Sequence, residues 1–278
     1  MTEQAWISVD ELSHGFGANN LPDVADLAGK SFDLHFENGW VITHTFDSAD
    51  KLIWQIKGEA ESFAESYNAV CPRAGIYFVD FEKQSEPGTT VSLVLDLNQG
   101  ICTAAISVMP EQEKIKQPLL ERALAGEKLT SVCVDFFRAV VDRPFTDDDH
   151  SFHPLTEELL GWRVEYSYTD EEVYEHIYLR PNAYTWNCLK GNEVGLCDTD
   201  YCSYRKIADD LYLFVWQEKI VPTTGIIMID FQAMRTCGKI VGYQGESADQ
   251  LCNFKVGAKA VKLNATAYPC LQPHSQLR

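Results

Sequence analysis

Sliding the chain against itself by 132 residues lays Gly29 on Gly161, Val41 on Val173, His44 on His176 and Trp54 on Trp186 without a gap. Phe36 then meets Tyr168, Asp33 meets Glu165 and Phe46 meets Tyr178. Farther on, an offset of 135 pairs Tyr77 with Tyr212, Phe81 with Trp216, Pro87 with Pro222 and Thr89 with Thr224. After one deletion Asp96 meets Asp230 and Ile106 meets Ile240. A repeat of this span means that one structural unit is built twice, which restricts the fold far more than length or composition does.

The unit is made of short strands. Gly75-Ile76-Tyr77-Phe78-Val79, Val91-Ser92-Leu93-Val94-Leu95 and Leu211-Tyr212-Leu213-Phe214-Val215-Trp216 are β-rich runs bounded by turn residues. Asn38-Gly39, between Phe36 and Trp40, is a hairpin signal in which both turn positions are expected at positive φ. One helix is expected from about Glu111 to Ala125, opened by Pro110 and stopped by Gly126, with Ile115, Leu119, Leu120 and Ala123 on one face. The polar stretch Asp142–His150 falls near mid-chain and reads as a linker. The fold class is therefore all-β: two tandem antiparallel β-barrels with a short helix after the first. The expected boundaries are an N-terminal segment 1–24, a first barrel 25–140, a linker 141–154, a second barrel 155–265 and a tail 266–278. Closing a sheet of short strands removes its edges and leaves an interior that can hold one small ligand.

Charge narrows the partners. With 23 basic and 41 acidic residues the chain carries a net charge of −18, a field that repels phosphate backbones and anionic membranes. Neither nucleic acid nor membrane is expected as a partner; a small molecule is, and a homodimer is compatible with the sequence. No apolar run approaches the roughly 18 residues of a membrane helix, and Met1–Trp6 lacks the basic start and apolar stretch of a secretory signal. The nine scattered cysteines fit buried reduced thiols, so a cytoplasmic location is expected.

Gly29-Lys30-Ser31-Phe32 through Asn38-Gly39-Trp40, together with Asp209-Asp210-Leu211-Tyr212-Leu213-Phe214-Val215-Trp216-Gln217-Glu218, resemble the MoaF family over nearly the whole chain. The resemblance implies two lipocalin-like (calycin) domains. It also brings two functional associations: the label molybdenum cofactor biosynthesis protein F, and bacterial monoamine utilisation. Each repeat is similar, more distantly, to the phenolic acid decarboxylases, single lipocalin-like barrels with a Tyr-x-Tyr strand before Asn-Gly-Trp and a later strand ending in Trp-x-Glu. That pattern places the paired tyrosines on Tyr166 and Tyr168 and the proton-handling glutamate on Glu218. The first repeat has Leu34, Phe36 and Lys83 at the same places. The decarboxylases also use an arginine, for which Arg205 is the candidate.

Strand alternation indicates which side chains face inward. Trp162, Val164, Tyr166 and Tyr168 share one face; Tyr184, Trp186 and Cys188 another; Tyr212, Phe214, Trp216 and Glu218 a third. His176 shares a face with Tyr174 and Tyr178. The candidate ligand-binding residues are thus Trp162, Tyr166, Tyr168, His176, Tyr184, Trp186, Tyr212, Trp216 and Glu218, with Glu218, Tyr166 and Tyr168 the catalytic set if the protein is an enzyme. A carboxylate ending an aromatic stripe is expected to hold a raised pKa, suiting it to act as a general acid or to grip a phenol or amine. Against this stand ordinary barrel filling for the tyrosines, a hydrated strand end for Glu218 and a hydrogen-bonded core role for His44 and His176.

Other motifs carry less. His150 and His153, beside Asp147, Asp148 and Asp149, are expected in a solvated acidic loop and not a metal centre. Cys197-x4-Cys202 lacks a second cysteine pair at zinc spacing, and Gly15-Phe16-Gly17 lacks the strand, helix and third glycine of a dinucleotide loop. No metal and no cofactor are expected. Three functions follow: a protein binding a small aromatic or amine ligand in a barrel, a non-redox lyase or isomerase acting on a phenolic compound through the second barrel, and an interaction protein without a ligand.

Overall fold

The computed structural model describes residues 6–245 and 248–267; residues 1–5, most of the expected tail and Cys270 lie outside the described residues. The first repeat forms eight strands: β1 (Ser31–Phe36), β2 (Val41–Phe46), β3 (Lys51–Ile56), β4 (Phe63–Arg73), β5 (Ile76–Glu82), β6 (Thr89–Asp96), β7 (Ile101–Val108) and β8 (Cys133–Val141). Each pairs antiparallel with the next, and β8 returns to β1 through Phe36↔Ala139, closing a barrel. The second repeat supplies β9 (Trp162–Ser167), β10 (Val173–Arg180), β11 (Ala183–Lys190), β12 (Cys197–Ala208), β13 (Leu211–Gln217), β14 (Thr223–Asp230), β15 (Arg235–Tyr243), β16 (Leu251–Val256) and β17 (Lys259–Ala265). Here the eighth position is shared: β16 pairs with β15, and β17, two residues on, pairs with β9. Both barrels are closed and antiparallel, as the repeat implies.

The repeat holds at the level of register. His44 faces Trp54 across β2 and β3, and His176 faces Trp186 across β10 and β11. Ile76↔Asp96 and Leu211↔Asp230 match in the same way. Leu27 and Leu159, both fully buried, sit at equivalent places just before the first strand of each barrel. The glycine two residues on donates to the second strand in each case, Gly29 N to Phe46 O and Gly161 N to Tyr178 O, both at 2.7 Å.

Three local expectations change. The β1–β2 hairpin forms, but only Gly39 takes positive φ (90°); the turn is closed by Gly39 N to Phe36 O, and Asn38 instead accepts from Trp40 N through its side chain. This is a turn followed by a left-handed glycine, which needs one positive φ where a two-residue loop needs two. The helix is divided by Pro118 into α2 (Gln112–Lys116) and α3 (Leu119–Ala125), ending at Gly126 (φ 71°), and it lies within the first barrel's connection from β7 to β8. Its buried residue is Arg122, while Leu120 and Ala123 face water, because the segment is too short and broken to present an apolar stripe. Finally, the linker is mostly exposed, as a solvated loop would be, but it buries two of its side chains. Asp149 is 3% exposed and receives both Arg143 guanidinium nitrogens (3.0 and 2.6 Å) and Thr146, and these partners, Arg143 foremost, hold its carboxyl well below the usual range. His153 is buried as well, with Thr103 Oγ1 at 2.8 Å from Nδ1.

The barrels pack side by side. Strands β5, β6, β13 and β14 are buried on both faces, one lining a barrel interior and the other a shared seam in which Val94, Phe78, Leu213 and Met228 join one apolar cluster. That is why these runs are continuously apolar where a water-facing barrel strand would alternate. Polar ties cross the seam: Arg73 binds Asp230 in a bidentate pair (2.9 and 2.7 Å), and Lys239 Nζ lies 2.8 Å from Asp80. All eight described cysteines are free thiols, and among the described residues no helix is long and apolar enough to cross a membrane.

Candidate functional site

The second barrel is filled by rings. Its core holds Tyr166, Tyr178, Tyr184, Tyr204 and Phe214, all essentially inaccessible, and toward one end the packing opens into a cavity of about 40 Å³. Six of the nine residues expected from alternation line it: Tyr168, His176, Tyr184, Trp186, Trp216 and Glu218. The other three do not. Tyr166 lies deeper and shares a 2.6 Å hydroxyl contact with Tyr178. Trp162 and Tyr212 gather around Glu158, with Trp162 Nε1 donating to its carbonyl (3.1 Å) and Tyr212 Oη to its carboxylate (2.7 Å). Alternation reports which face a side chain takes, and all three do face inward or rimward. It does not report height along the barrel axis, which separates them from the cavity.

Glu218 ends β13 in the sense that its amide N still bonds Thr223 O (2.9 Å), so its side chain is fixed at the cavity rim. Trp216 Nε1 donates to its Oε1 at 2.9 Å. Burial, and then the neighbouring Asp200 charge, push the Glu218 carboxyl well above the usual carboxylate range, with the Trp216 bond opposing. Two further acids stand close by, and neither was foreseen. Glu193, a cavity-lining residue of the β11–β12 turn, accepts from Tyr174 Oη (3.0 Å), and burial raises its carboxyl. Asp200, on β12, accepts Trp186 Nε1 (3.0 Å) and Lys219 N (3.1 Å), and burial raises it despite the Lys219 ammonium beside it.

His176 is not a cation here. Burial lowers it to about 3, and its Nδ1 has no hydrogen-bond partner among the described residues. Burial holds the phenols of Tyr168 and Tyr184 neutral. Among the described residues no lysine or arginine lines the cavity. Arg205, the candidate for the decarboxylase arginine, lies in the barrel seam, stacked 4.7 Å over Phe136 and donating to His153 O. The tyrosine pair of that family is also divided, since only Tyr168 reaches the cavity. What remains is a recess walled by indole and phenol rings, with carboxyls at the rim and the unpaired His176 imidazole inside.

The first barrel repeats the frame and reverses the charge. Trp54 Nε1 points to Glu65 (3.4 Å), and Gln84 N donates to the same carboxylate (3.2 Å), matching Trp186, Asp200 and Lys219 N. At the position of Glu218 stands Lys83, its ammonium 4.9 Å over the Trp54 ring and paired with Glu86. The 135-residue offset that pairs Phe81 with Trp216 also pairs Glu65 with Asp200 and could have revealed this carboxylate. Nothing comparable announces the N-terminal residues Trp6, Val9, Leu12 and Phe16, which complete the cavity wall.

Gly225 is what lets Trp216 lie flat. The two face each other in register, and a Cβ on Gly225 would stand 2.0 Å from the Trp216 ring. Gly225→Ala is therefore expected to cost about 1–3 kcal/mol in urea unfolding by overpacking, with a changed near-ultraviolet tryptophan signal; an unchanged signal and stability would refute the contact.

Comparison with known proteins agrees with this architecture. The chain is 38% identical over 269 residues to "Protein MoaF" of Klebsiella aerogenes, covering 96% of this chain and 98% of that protein. Among solved structures, a Burkholderia vietnamiensis protein provisionally described as a beta-lactamase is 17% identical and covers 38% of this chain and 96% of its own; at a TM-score of 0.32 that likeness bears on neither fold nor activity. Residues 4–111 match the family model of the MoaF N-terminal domain and residues 153–266 that of the MoaF C-terminal domain, and the chain belongs to the MoaF family.

Proposed function

We propose that the second barrel binds a small organic amine whose ammonium is held by Glu218 and whose ring or apolar body stacks on Trp186 and Trp216. The observation that carries this reading is the charge balance of the cavity: two lining carboxyls, a neutral imidazole and no cation. A buried carboxylate without a cationic partner is unfavourable, and a bound ammonium supplies the missing charge and hydrogen bonds. The indole and phenol faces favour the same ligand, since their π-clouds attract cations and stack on rings. A carboxylate ligand would meet like charge, and a phosphorylated pterin would find no basic or helix-terminal anion site. The monoamine association of the family accords with this reading more readily than its molybdenum label does.

A charge series tests it. Calorimetric titration with 2-phenylethylamine, 2-phenylethanol and phenylacetate at pH 7.5 holds ring and chain nearly constant while the terminal group runs from cation to neutral to anion. The amine is expected to bind at least tenfold more tightly than the alcohol, because a hydrogen bond to a charged group is worth about 1.5–3 kcal/mol. Phenylacetate is expected not to bind measurably. Equal affinity for the amine and the alcohol, or preference for the acid, would refute the assignment.

A further inference from the structure

The recess is closed by a piece of chain that precedes the first barrel. Residues 6–16 lie across the second barrel's mouth, with α1 (Val9–Ser13) touching β15 and β16. Trp6 meets Trp186 edge-on at 5.6 Å, and Phe16 sits 4.2 Å from the Tyr168 ring and 5.6 Å from that of Tyr174. The cavity left beneath them is about 40 Å³. Since one water needs about 10–15 Å³ on this scale, the space suits roughly three waters and no aromatic ring. Any ring-bearing ligand therefore requires this cover to move, and Phe16 now occupies ground such a ring would take.

The two ends of the segment are attached differently. Beyond residue 17 the fixings are directional and polar. Asn19 Nδ2 donates to Ser167 O (2.9 Å) and Tyr168 O (3.0 Å), Asn20 Nδ2 to Lys255 O (3.3 Å), and Arg235 Nη2 to Asn19 O (3.2 Å). Gly257 makes room for that crossing, as a Cβ there would stand 2.6 Å from Asn19 O. Residues 6–16 instead hold themselves together, through the Ser8–Glu11 capping box and the Ser13 hydroxyl on Asp10 O. They meet the barrel mainly through apolar contact, with Val9 set into the dent at Gly242. Gly15 and Gly17 bracket Phe16 at the boundary between the two regimes, the position a hinge needs.

We infer that residues 6–16 form a lid, hinged at Gly15–Gly17 and anchored at Asn19 and Asn20, that swings out to admit ligand to the second barrel and closes over it. The lid supplies Trp6, Val9, Leu12 and Phe16 as one wall of the closed site, so a segment attached to the first barrel controls access to the second. The identity of the ligand rests on the amine reading above; the hinge does not.

Two measurements on the full chain separate the two claims. Hydrogen–deuterium exchange of the ligand-free protein reads the lid alone: amides of residues 7–16 are expected to exchange at least 100-fold faster than that of Val24, which is bonded to Ala69 O beyond the hinge. Equal protection on either side of Gly17 would overturn the hinge whatever the protein binds. The second measurement is stopped-flow binding of 2-phenylethylamine to the Val9→Cys/Gly242→Cys variant in a Cys252→Ser background. A Gly242 Cβ would lie 2.6 Å from Val9 Cγ2, so the paired Cβ atoms fall within disulfide reach. The oxidised form is expected to bind at least tenfold more slowly than the same protein after reduction, and Phe16→Ala to bind faster than the unsubstituted chain. Oxidised and reduced forms binding at one rate would overturn the gate. Absence of amine binding by the unsubstituted chain, with exchange still polarised at Gly17, would overturn the amine reading and leave the lid standing.

Discussion

Asp80→Ala is expected to destabilise the chain by about 3–5 kcal/mol, the cost of leaving a buried charge without its partner. Asp80 sits in the seam between the barrels, where it accepts Ser92 Oγ (2.7 Å) and Asn253 Nδ2 (2.9 Å) and lies 2.8 Å from Lys239 Nζ. The Lys239 side chain is only 1% exposed, and burial already lowers its pKa against the pull of Asp80. Removing Asp80 takes from the ammonium and the Asn253 amide their nearest acceptor and leaves Glu82 as the remaining acid beside them. A lysine whose folded pKa is depressed gives up its proton in the folded state first, so stability rises with pH between the folded and unfolded values. The deficit should accordingly narrow as the pH approaches the ordinary lysine range. Asp80→Asn combined with Lys239→Met should recover most of the loss, because the buried ammonium and its partner are removed together. Urea unfolding of the three proteins checks this; a single-variant loss below about 1 kcal/mol would mean that the pair does not hold the seam.

Glu218→Gln is expected to act in the opposite direction on stability while removing the proposed ligand. In the native chain, burial and Asp200 raise the Glu218 pKa. A raised carboxyl is protonated in the folded state over a range where the unfolded chain has ionised, so the native protein loses stability as pH climbs from about 4.5. The amide keeps the shape and can still accept from Trp216, and it does not titrate. The variant should match the native protein near pH 4 and exceed it at pH 8, by about 1 kcal/mol or 2–4 °C in Tm. Binding of 2-phenylethylamine should fall at least tenfold in the same variant. A stability gap that is flat with pH would show that Glu218 is ionised in water at the strand end, the alternative the sequence left open.

How much could be read in advance depended on which physical signal each feature left in the chain. The tandem barrels were legible because His44 and Trp54 must face one another across two strands, and His176 and Trp186 repeat that spacing. The asymmetry of the barrels was legible too, since Glu218 and Lys83 occupy one position with opposite charge. The cavity itself was half legible: alternation put Tyr168, His176 and Trp216 inside but placed Tyr166, Trp162 and Tyr212 in the same class, being blind to height. The broken helix was written in Pro118, whose effect outweighs the apolar spacing around it. The burial of His153 was not written locally, because its partner Thr103 comes from the first barrel, whereas Asp149 is held by Arg143 and Thr146 of its own loop. The lid is the extreme case: Trp6, Val9, Leu12 and Phe16 close a site whose remaining residues come from 168 onward, and no local pattern joins them.

A crystal structure of the protein with 2-phenylethylamine would show whether an ammonium group sits at Glu218. The amine nitrogen is expected within about 2.7–2.9 Å of a Glu218 carboxylate oxygen, the range of charge-assisted bonds. The ring should lie against Trp186 and Trp216, where Phe16 now closes the recess. An amine seated in the first barrel beside Lys83, or a second-barrel recess still filled by Phe16 with the amine elsewhere, would contradict the account.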